Sequence, residues 1–227
     1  MEYIYETHCH TREASACGEL SGQELARFYK SRGFDGIFVT DHFFNGNCAV
    51  DPSLDWQTKC ELYCAGYKAA KAEGDRIGLS VFFGIEYSYL GTDLLTYGVD
   101  GDWLKAHPEV MEIGVKEYME LIHRSGGMIV HAHPFREAWY IDTLRLYPYD
   151  VDAVEVFNAG NHDPEFNRRA DWYADSYGLV KVAGSDRHED RSQAEGATVF
   201  EQRVQTVQDY ITLVKQDRVK RLICRYD

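Results

Sequence analysis

No stretch of this 227-residue chain approaches the roughly 20 consecutive apolar residues that a membrane-spanning helix needs. The opening Met1-Glu2-Tyr3 starts neither a basic segment nor an apolar one, so no secretory signal is expected. No G-x-G-x-x-G loop follows the first apolar run and no G-x-x-x-x-G-K-[ST] occurs, which argues against dinucleotide-binding and P-loop proteins. Prolines number five and are scattered, and there is no repeat, low-complexity tract or linker. One domain over residues 1–227 is therefore expected. Positive charge is in short supply: 24 Lys and Arg against 37 Asp and Glu, a net −13. That field disfavours duplex nucleic acid and anionic membranes as partners. A small anionic substrate stays compatible with it where metals or arginines invert the sign locally. The six cysteines (Cys9, Cys17, Cys48, Cys60, Cys64 and Cys224) contain no C-x-x-C. Cys60 and Cys64 stand one helical turn apart, as a metal pair or as ordinary core residues. All six read as reduced thiols of a cytoplasmic protein, most of them buried.

What the chain does have is an alternation of apolar runs and amphipathic segments. Strands are expected at Tyr3–Thr7, Gly36–Thr40, Leu79–Ile85, Leu94–Val99, Met128–Val130, Ala153–Phe157 and Leu179–Ala183. Helical patterns lie between them. Ser21–Arg32 opens on a capping box, Ser21 with Glu24. Leu54–Glu73 stops at Gly74, Glu109–Ser125 at Gly126, and Pro164–Tyr177 at Gly178. Val204–Asp217 precedes a short run, Arg218–Cys224, that could be a last strand. Such alternation predicts parallel strands joined by crossover helices, in a barrel or a doubly wound sheet.

The polar residues cluster at one place in this pattern, just after the strands. The first strand ends in His8-Cys9-His10, and strand alternation puts both imidazoles on one face and Cys9 on the other. The second is followed by Asp41-His42, the third by Glu86, the fifth by His131 and His133. The sixth is followed by Asn158 and Asn161, the seventh by Asp186 and His188. Six of the nine histidines fall at these positions. In a parallel barrel those strand ends converge on one rim, where active sites are built. Mixed imidazole and carboxylate ligands suit zinc, iron or manganese. They are too many for one four-coordinate ion, so two or three ions with Glu86 bridging are expected, the arrangement of many phosphate-ester hydrolases. His107, His123 and His162 read as ordinary loop and helix residues.

HxH after the first strand, TDH after the second, GxE after the third, AHP after the fifth and GSDxH near the end resemble the PHP (polymerase and histidinol phosphatase) family, over residues 3 to 200 or so. The resemblance implies a distorted seven-stranded (βα) barrel and a metal-dependent phosphoesterase. It implies one metal on His8, His10, Glu86 and Asp186, a second on Glu86 and His133, and a third drawing on His42 and His188. Family members often carry a histidine just before the fourth strand, where this chain has Asp93 in "DLLTYG". Asp93 would then serve the second metal, although simple barrel logic puts no ligand ahead of a strand. Some members place another histidine in the loop after His10. Here that loop offers Glu13, Cys17 and Glu19 as substitutes.

The expected activity is hydrolysis of a phosphomonoester, on a small metabolite or nucleotide, by a metal-bound hydroxide. Asp41, His188 and Arg136 are the candidate catalytic residues, with Asp41 or His188 shuttling the proton to the leaving oxygen. Arg12, Arg136, His131, Asn158 and Arg187 are the candidates for substrate binding, arginine forks matching phosphate oxygens. The alternatives are a phosphodiesterase acting on a small nucleotide and a non-catalytic, metal-stabilised module. Only the Phe43–Asp55 and Trp103–Pro108 loops look long enough to shape a pocket.

Overall fold

A computed structural model describes residues 1–189 and 193–226. Nine strands form one sheet, where seven were expected. In chain order they are β1 (Tyr3–Cys9), β2 (Gly36–Val39), β3 (Ser80–Tyr89), β4 (Thr92–Tyr97), β5 (Met128–Ala132), β6 (Ala153–Asn158), β7 (Val180–Gly184), β8 (Glu195–Phe200) and β9 (Arg221–Arg225). Their order across the sheet is β7-β6-β5-β4-β3-β2-β1-β8-β9. β1, β2 and β3 run parallel, as do β5, β6 and β7, while β4 is antiparallel to both its neighbours. β8 and β9 extend the sheet in antiparallel fashion from β1.

The sheet nearly closes where β7 returns to β1. Asp186 N–H donates to His8 O (2.8 Å) and His10 N–H to Arg187 O (3.0 Å). Glycines permit this approach: a Cβ on Gly196 would collide with the Gly184 carbonyl, and one on Gly184 would press on the His8 Cβ. β8 was missed because Gly196 and Ala197 give it little apolar or β-branched signal.

The helices are α1 (Gly22–Ser31), α2 (Trp56–Tyr63), α3 (Ala65–Ile77), α4 (Gly101–Ala106), α5 (Val115–Arg124), α6 (Pro164–Tyr177) and α7 (Val207–Lys215). The capping box of Ser21 and Glu24 is present on α1. The single helix expected over Leu54–Glu73 is broken at Cys64 into α2 and α3, and Gly74 does not stop it. Gly74 lies inside α3 because a Cβ there would meet Val81 and the Leu79 carbonyl; the left-handed stop is Gly78, at φ 74°. The helix expected from Glu109 starts only at Val115, after a 3-10 turn at Pro108–Met111.

Most helices pack outside the sheet; α1 and α3 bury Leu25, Ala26, Tyr29 and Ala70 against Cys9, Ile37 and Val39. α7 does something different. Its Tyr210, Ile211 and Val214 join Tyr5, Phe38, Tyr97, Val130 and Val182 in the barrel interior. Tyr210 lies 4.3 Å from Phe38 and 5.1 Å from Tyr97, ring centre to ring centre. An aromatic plug therefore closes one end of the barrel. The other end is left to polar side chains.

Candidate metal centre

The strands that build the rim abandon strict alternation at their ends. On β1, Tyr5 faces the interior and Glu6 faces outward, its carboxylate accepting from Tyr29 Oη (2.8 Å). Simple alternation would send His8 outward with Glu6. The register shifts between Glu6 and Cys9, a bulge that re-aims the chain so that His8 and His10 point inward and Cys9 packs with Leu25. On β6 a second shift, between Glu155 and Phe157, lets Glu155 and Asn158 both serve the interior. His133 and Asp186 reach the same place through positive φ, 26° and 53°, a strained backbone for non-glycine residues.

β4 resolves the placement of Asp93. Because this strand runs backwards, its first residues lie at the rim where its neighbours end. Asp93 stands opposite Ser88 and Ala132, and its carboxylate accepts from Ser88 Oγ (2.6 Å).

Donor atoms converge around Glu86, which is fully buried. His8 Nε2 lies 3.1 Å from Glu86 Oε1 and 3.3 Å from Asp186 Oδ1. His10 Nε2 lies 3.1 Å from Asp186 Oδ1 and 3.5 Å from Glu86 Oε2. These four residues form one candidate ligand group; Glu86, Asp93 and His133 form a second, and His10, His42 and His188 a third. His133 Nε2 is 3.1 Å from Glu86 Oε1, and His42 Nδ1 is 2.6 Å from Glu86 Oε2. Glu86 thus bears on all three.

The imidazole tautomers can be worked out from the far side of each ring. His8 Nδ1 faces Glu155 Oε1 at 3.0 Å and must donate there, which leaves Nε2 bare when the ring is neutral. Ser15 Oγ donates its one proton to Asp41 Oδ1 (2.7 Å), so it accepts from His10 Nδ1 (3.0 Å). Burial and the charges on His188 and His42 hold His10 well below the usual histidine range, hence neutral with Nε2 bare. His188 Nδ1 donates to the Asp186 carbonyl (2.8 Å), which leaves its Nε2 bare when the ring is neutral.

Lone pairs thus face carboxylate oxygens across about 3 Å, a repulsive arrangement unless a cation lies among them. His8 Nε2, His42 Nδ1 and Glu86 Oε2 are buried without a hydrogen-bond partner. Ligand bonds of about 2.0–2.2 Å set neighbouring donors roughly 3–3.5 Å apart, the spacing found here. The donor set therefore fits a small divalent ion. Without one, protons must compensate: burial would lower His8, but Asp186, Glu155 and Glu86 outweigh it and hold His8 well above its usual range. Asp93 is raised by burial and by the charge of Glu86 beside it.

The remaining expectations divide. Arg136 reaches the site, its Nη2 2.7 Å from Asp186 Oδ2, and is fixed by Asn158 Oδ1 and Asn161 Oδ1 (2.8 Å each). Asn158 also donates to Glu155 Oε2 (2.8 Å), so it braces Arg136 and Glu155. Asp41 does not face the donor cluster as a proton shuttle would. Its carboxylate is taken up by Thr11 N, Thr11 Oγ1 and Ser15 Oγ, and burial raises it to about 6 against those bonds.

His131 is a correction. The turn at His133 breaks the period of two, so His131 lies behind the sheet near Tyr147 and Tyr173. Arg12 points to the surface and pairs with Glu24 at 3.4 Å. Arg187 is buried, donating to the Glu189 and Ala194 carbonyls and lying over Phe28. Arg187 nevertheless lines a cleft beside the site, with its guanidinium committed to those carbonyls. Glu13 is spent on Gly22 N–H at the start of α1. Glu155 and Ser15 were missed, since a glutamate inside a strand and a serine in a loop carry no signal of their own.

A cleft of about 680 Å³ opens beside the site, lined by Glu19, Asn161, His162, Asp186, His188 and Tyr226 among others. The segment between β5 and β6 carries Arg136, which is bonded to Asn161 of the cleft lining, and exposes Trp139 (94%). Sequence reasoning passed over that loop in favour of 43–55 and 103–108. Among the described residues, no helix is long and apolar enough to cross a membrane.

The nearly closed α/β barrel carries on its rim three groups of side chains suited to holding metal ions. The family model for PHP-associated (PHP_C) sequences matches residues 164–219. Similar solved structures include a two-domain protein of Bacteroides vulgatus containing a predicted PHP-like metal-dependent phosphoesterase. It is 15% identical, with a TM-score of 0.67 over 96% of this chain and 64% of that one, so this chain spans under two thirds of it. A candidate metal-dependent phosphoesterase of Bifidobacterium adolescentis is 16% identical, with a TM-score of 0.58 over 95% and 96%. An amidohydrolase of Chromobacterium violaceum, with bound sulfate and no metal, is 17% identical, with a TM-score of 0.56 over 81% and 87%. No curated protein matches significantly. The PHP-associated match covers only residues 164–219, and the neighbours show a fold that this chain shares.

Proposed function

We propose that the protein is a metal-dependent hydrolase of phosphate esters, acting on a phosphomonoester of a small metabolite or nucleotide. The observation that carries this reading is the convergence of bare imidazole nitrogens and carboxylate oxygens on Glu86. His8, His10, Glu86 and Asp186 would hold one ion, and Glu86, Asp93 and His133 a second. Divalent ions supply Lewis acidity at such a site, polarising a phosphoryl group and acidifying water.

The chain's own residues do the rest. Arg136 stands at the mouth with its fork braced by two asparagines, so it meets a non-bridging phosphate oxygen without reorganising. It also offsets the negative charge of Asp186 on the side where an anion enters. Glu155 and Ser15 hold His8 and His10 in the tautomers that leave Nε2 free. The cleft has room for a small leaving group, and its acidic lining, Glu19 and Glu189, disfavours a long nucleic acid.

The deciding experiment is hydrolysis of a phosphomonoester and a matched phosphodiester by protein purified without chelator, with Mn, Zn and Fe supplied separately. Monoester turnover alone supports the proposal. Diester turnover replaces it with a phosphodiesterase. Turnover of neither with any metal favours a non-catalytic, metal-stabilised module, and an amide substrate would then be tried, since the fold is shared with an amidohydrolase.

A further inference from the structure

The segment between β5 and β6 is fastened to the rim at both ends. At its start, Arg136 is fixed by Asn158, Asn161 and Asp186. Phe135 beside it packs edge-on against Tyr173, ring centres 5.9 Å apart. At the far end, Arg145 Nη1 donates to the Leu90 carbonyl (2.8 Å), in the turn that joins β3 to β4. Ile141 lies against Gly91 of the same turn, where a Cβ would come within 3.1 Å of it. Arg169 of α6 holds the segment from the side, pairing with Glu137 at 2.8 Å. Between these anchors Ile141 N–H donates to Ala138 O (2.9 Å), closing a turn whose two central residues are Trp139 and Tyr140. Their rings meet edge to face at 5.6 Å, yet Trp139 keeps 94% of its surface in water. A large apolar side chain held out in this way beside a site points to something that covers it.

The turn borders a groove of about 730 Å³ between this segment and the start of α6. Ile141, Leu144 and Phe166 give the groove apolar surface. His162 lines both this groove and the cleft that Asp186 and His188 line, so the two adjoin.

We propose that Trp139 is a stacking platform for a flat aromatic ring, uncharged or cationic, in the alcohol half of the substrate. The inference rests on the phosphomonoesterase reading and deepens it by naming the substrate class. Arg136 and Trp139 are three residues apart, so at most ~10 Å of chain separates the phosphate-binding fork from the indole. An ester whose phosphate meets Arg136 can therefore lay a ring a few bonds away on Trp139. An indole face stacks with any planar ring, so a nucleobase and an aryl group both fit it. A small polyol phosphate leaves the indole uncovered. Charge narrows the choice further. Glu137, Asp142 and Asp163 border the groove, and Arg169, which also borders it, is spent on Glu137 and Glu165. A second phosphate there meets like charge, whereas a neutral or cationic ring does not.

Adenosine, adenosine monophosphate, adenosine bisphosphate and glycerol phosphate are the probes. The wild type should bind adenosine by calorimetry. It should also hydrolyse adenosine monophosphate with a higher kcat/KM than glycerol phosphate or the bisphosphate. Trp139→Ala should weaken adenosine binding roughly 10-fold, and cut the preference over glycerol phosphate by a similar factor. Trp139→Phe, which keeps a smaller ring, should recover most of both. Trp172→Ala removes another exposed indole, one that does not line the groove, and should change neither. Absence of adenosine binding in the wild type, or binding that Trp139→Ala leaves intact, overturns the assignment. A bisphosphate turned over better than the monophosphate overturns the charge restriction. If neither ester is hydrolysed with any metal while Trp139-dependent adenosine binding persists, the hydrolase reading fails and the ring subsite stands.

Discussion

The two ends of the barrel are made from the same strands by opposite rules. At the plugged end, Tyr5, Phe38, Tyr97 and Val182 point inward, meet α7, and bury bulk without charge. At the rim, bulges on β1 and β6 and positive φ at His133 and Asp186 turn charged side chains into the same interior. The plug releases free energy by packing, roughly in proportion to apolar area buried. The rim stores unfavourable energy in strained backbone and in unpaired buried donors and charges. One end stabilises the fold, and the other gives up part of that stability to a donor set suited to a cation.

Breaking the rim should therefore change function most. Glu86→Gln or Asp186→Ala should lose bound metal and at least ~100-fold of any phosphatase activity, since even residues behind a metal ligand cost 10–100-fold. Elemental analysis and the monoester assay on each variant read this out; retention of both metal and activity would show that Glu86 is not the hub. Chelation of the wild type should lower its melting temperature, and zinc should restore it, because an ion bound only to the folded state stabilises it by mass action.

Breaking the plug should do the reverse. Tyr210→Ala removes a fully buried ring that touches Phe38 and Tyr97. Truncations of this size cost about 3–5 kcal/mol. Denaturant unfolding should show that loss while the metal content of the folded protein stays unchanged. A variant as unstable as this that also lost its metal would mean the two ends are not separable.

The same contrast governs what could be read from the sequence. The plugged halves of the strands follow apolar periodicity, which shows seven of the nine strands, and the run at 218–224 adds β9, leaving only β8 unseen. The rim was legible by residue type: His8, His10, His42, Glu86, Asp93, His133 and Asp186 all fall within the ligand groups. Side-chain direction was not legible there, because the period of two fails where the backbone is bent. A period of two would put His131 on the same side as His133, and the bend at His133 separates them. Asp93 looked misplaced because nothing in a six-residue run tells a strand which way to pair; the short turn at Leu90-Gly91 makes β3 and β4 a hairpin. Glu155 was invisible because its importance lies entirely in its partner.

Glu155 gives a smaller and sharper test. It orients His8 through a 3.0 Å bond and takes the His133 N–H (3.1 Å) and Asn158 Nδ2 (2.8 Å). Glu155→Gln keeps the size of the side chain but loses the charge that fixes His8 Nδ1–H. A 10–100-fold fall in metal affinity is expected. Competition with a chelator of known strength measures it, and an unchanged affinity would show that His8 needs no carboxylate behind it.

The smallest effect should come from a charge at the plugged end. Asp152 sits just before β6, accepting from Ile129 N–H (2.9 Å) and pairing with His123 Nε2 (2.8 Å) and Lys215 Nζ (3.0 Å). Burial would raise its carboxyl, but those partners outweigh burial and hold it below its ordinary 3.8. An acid held lower in the folded state than in the unfolded one stabilises the fold above its ordinary value. That contribution disappears as pH falls through the folded value. Asp152→Asn should therefore cost about 1.5 kcal/mol at pH 7, the low end for a hydrogen bond to a charged group, because the side chain is partly exposed. The difference from wild type should shrink toward zero in strong acid, as read from urea unfolding at a series of pH values. A gap that persisted in acid would mean that Asp152 acts by shape and not by charge. Its stabilising role would then resemble that of the aromatic plug beside it.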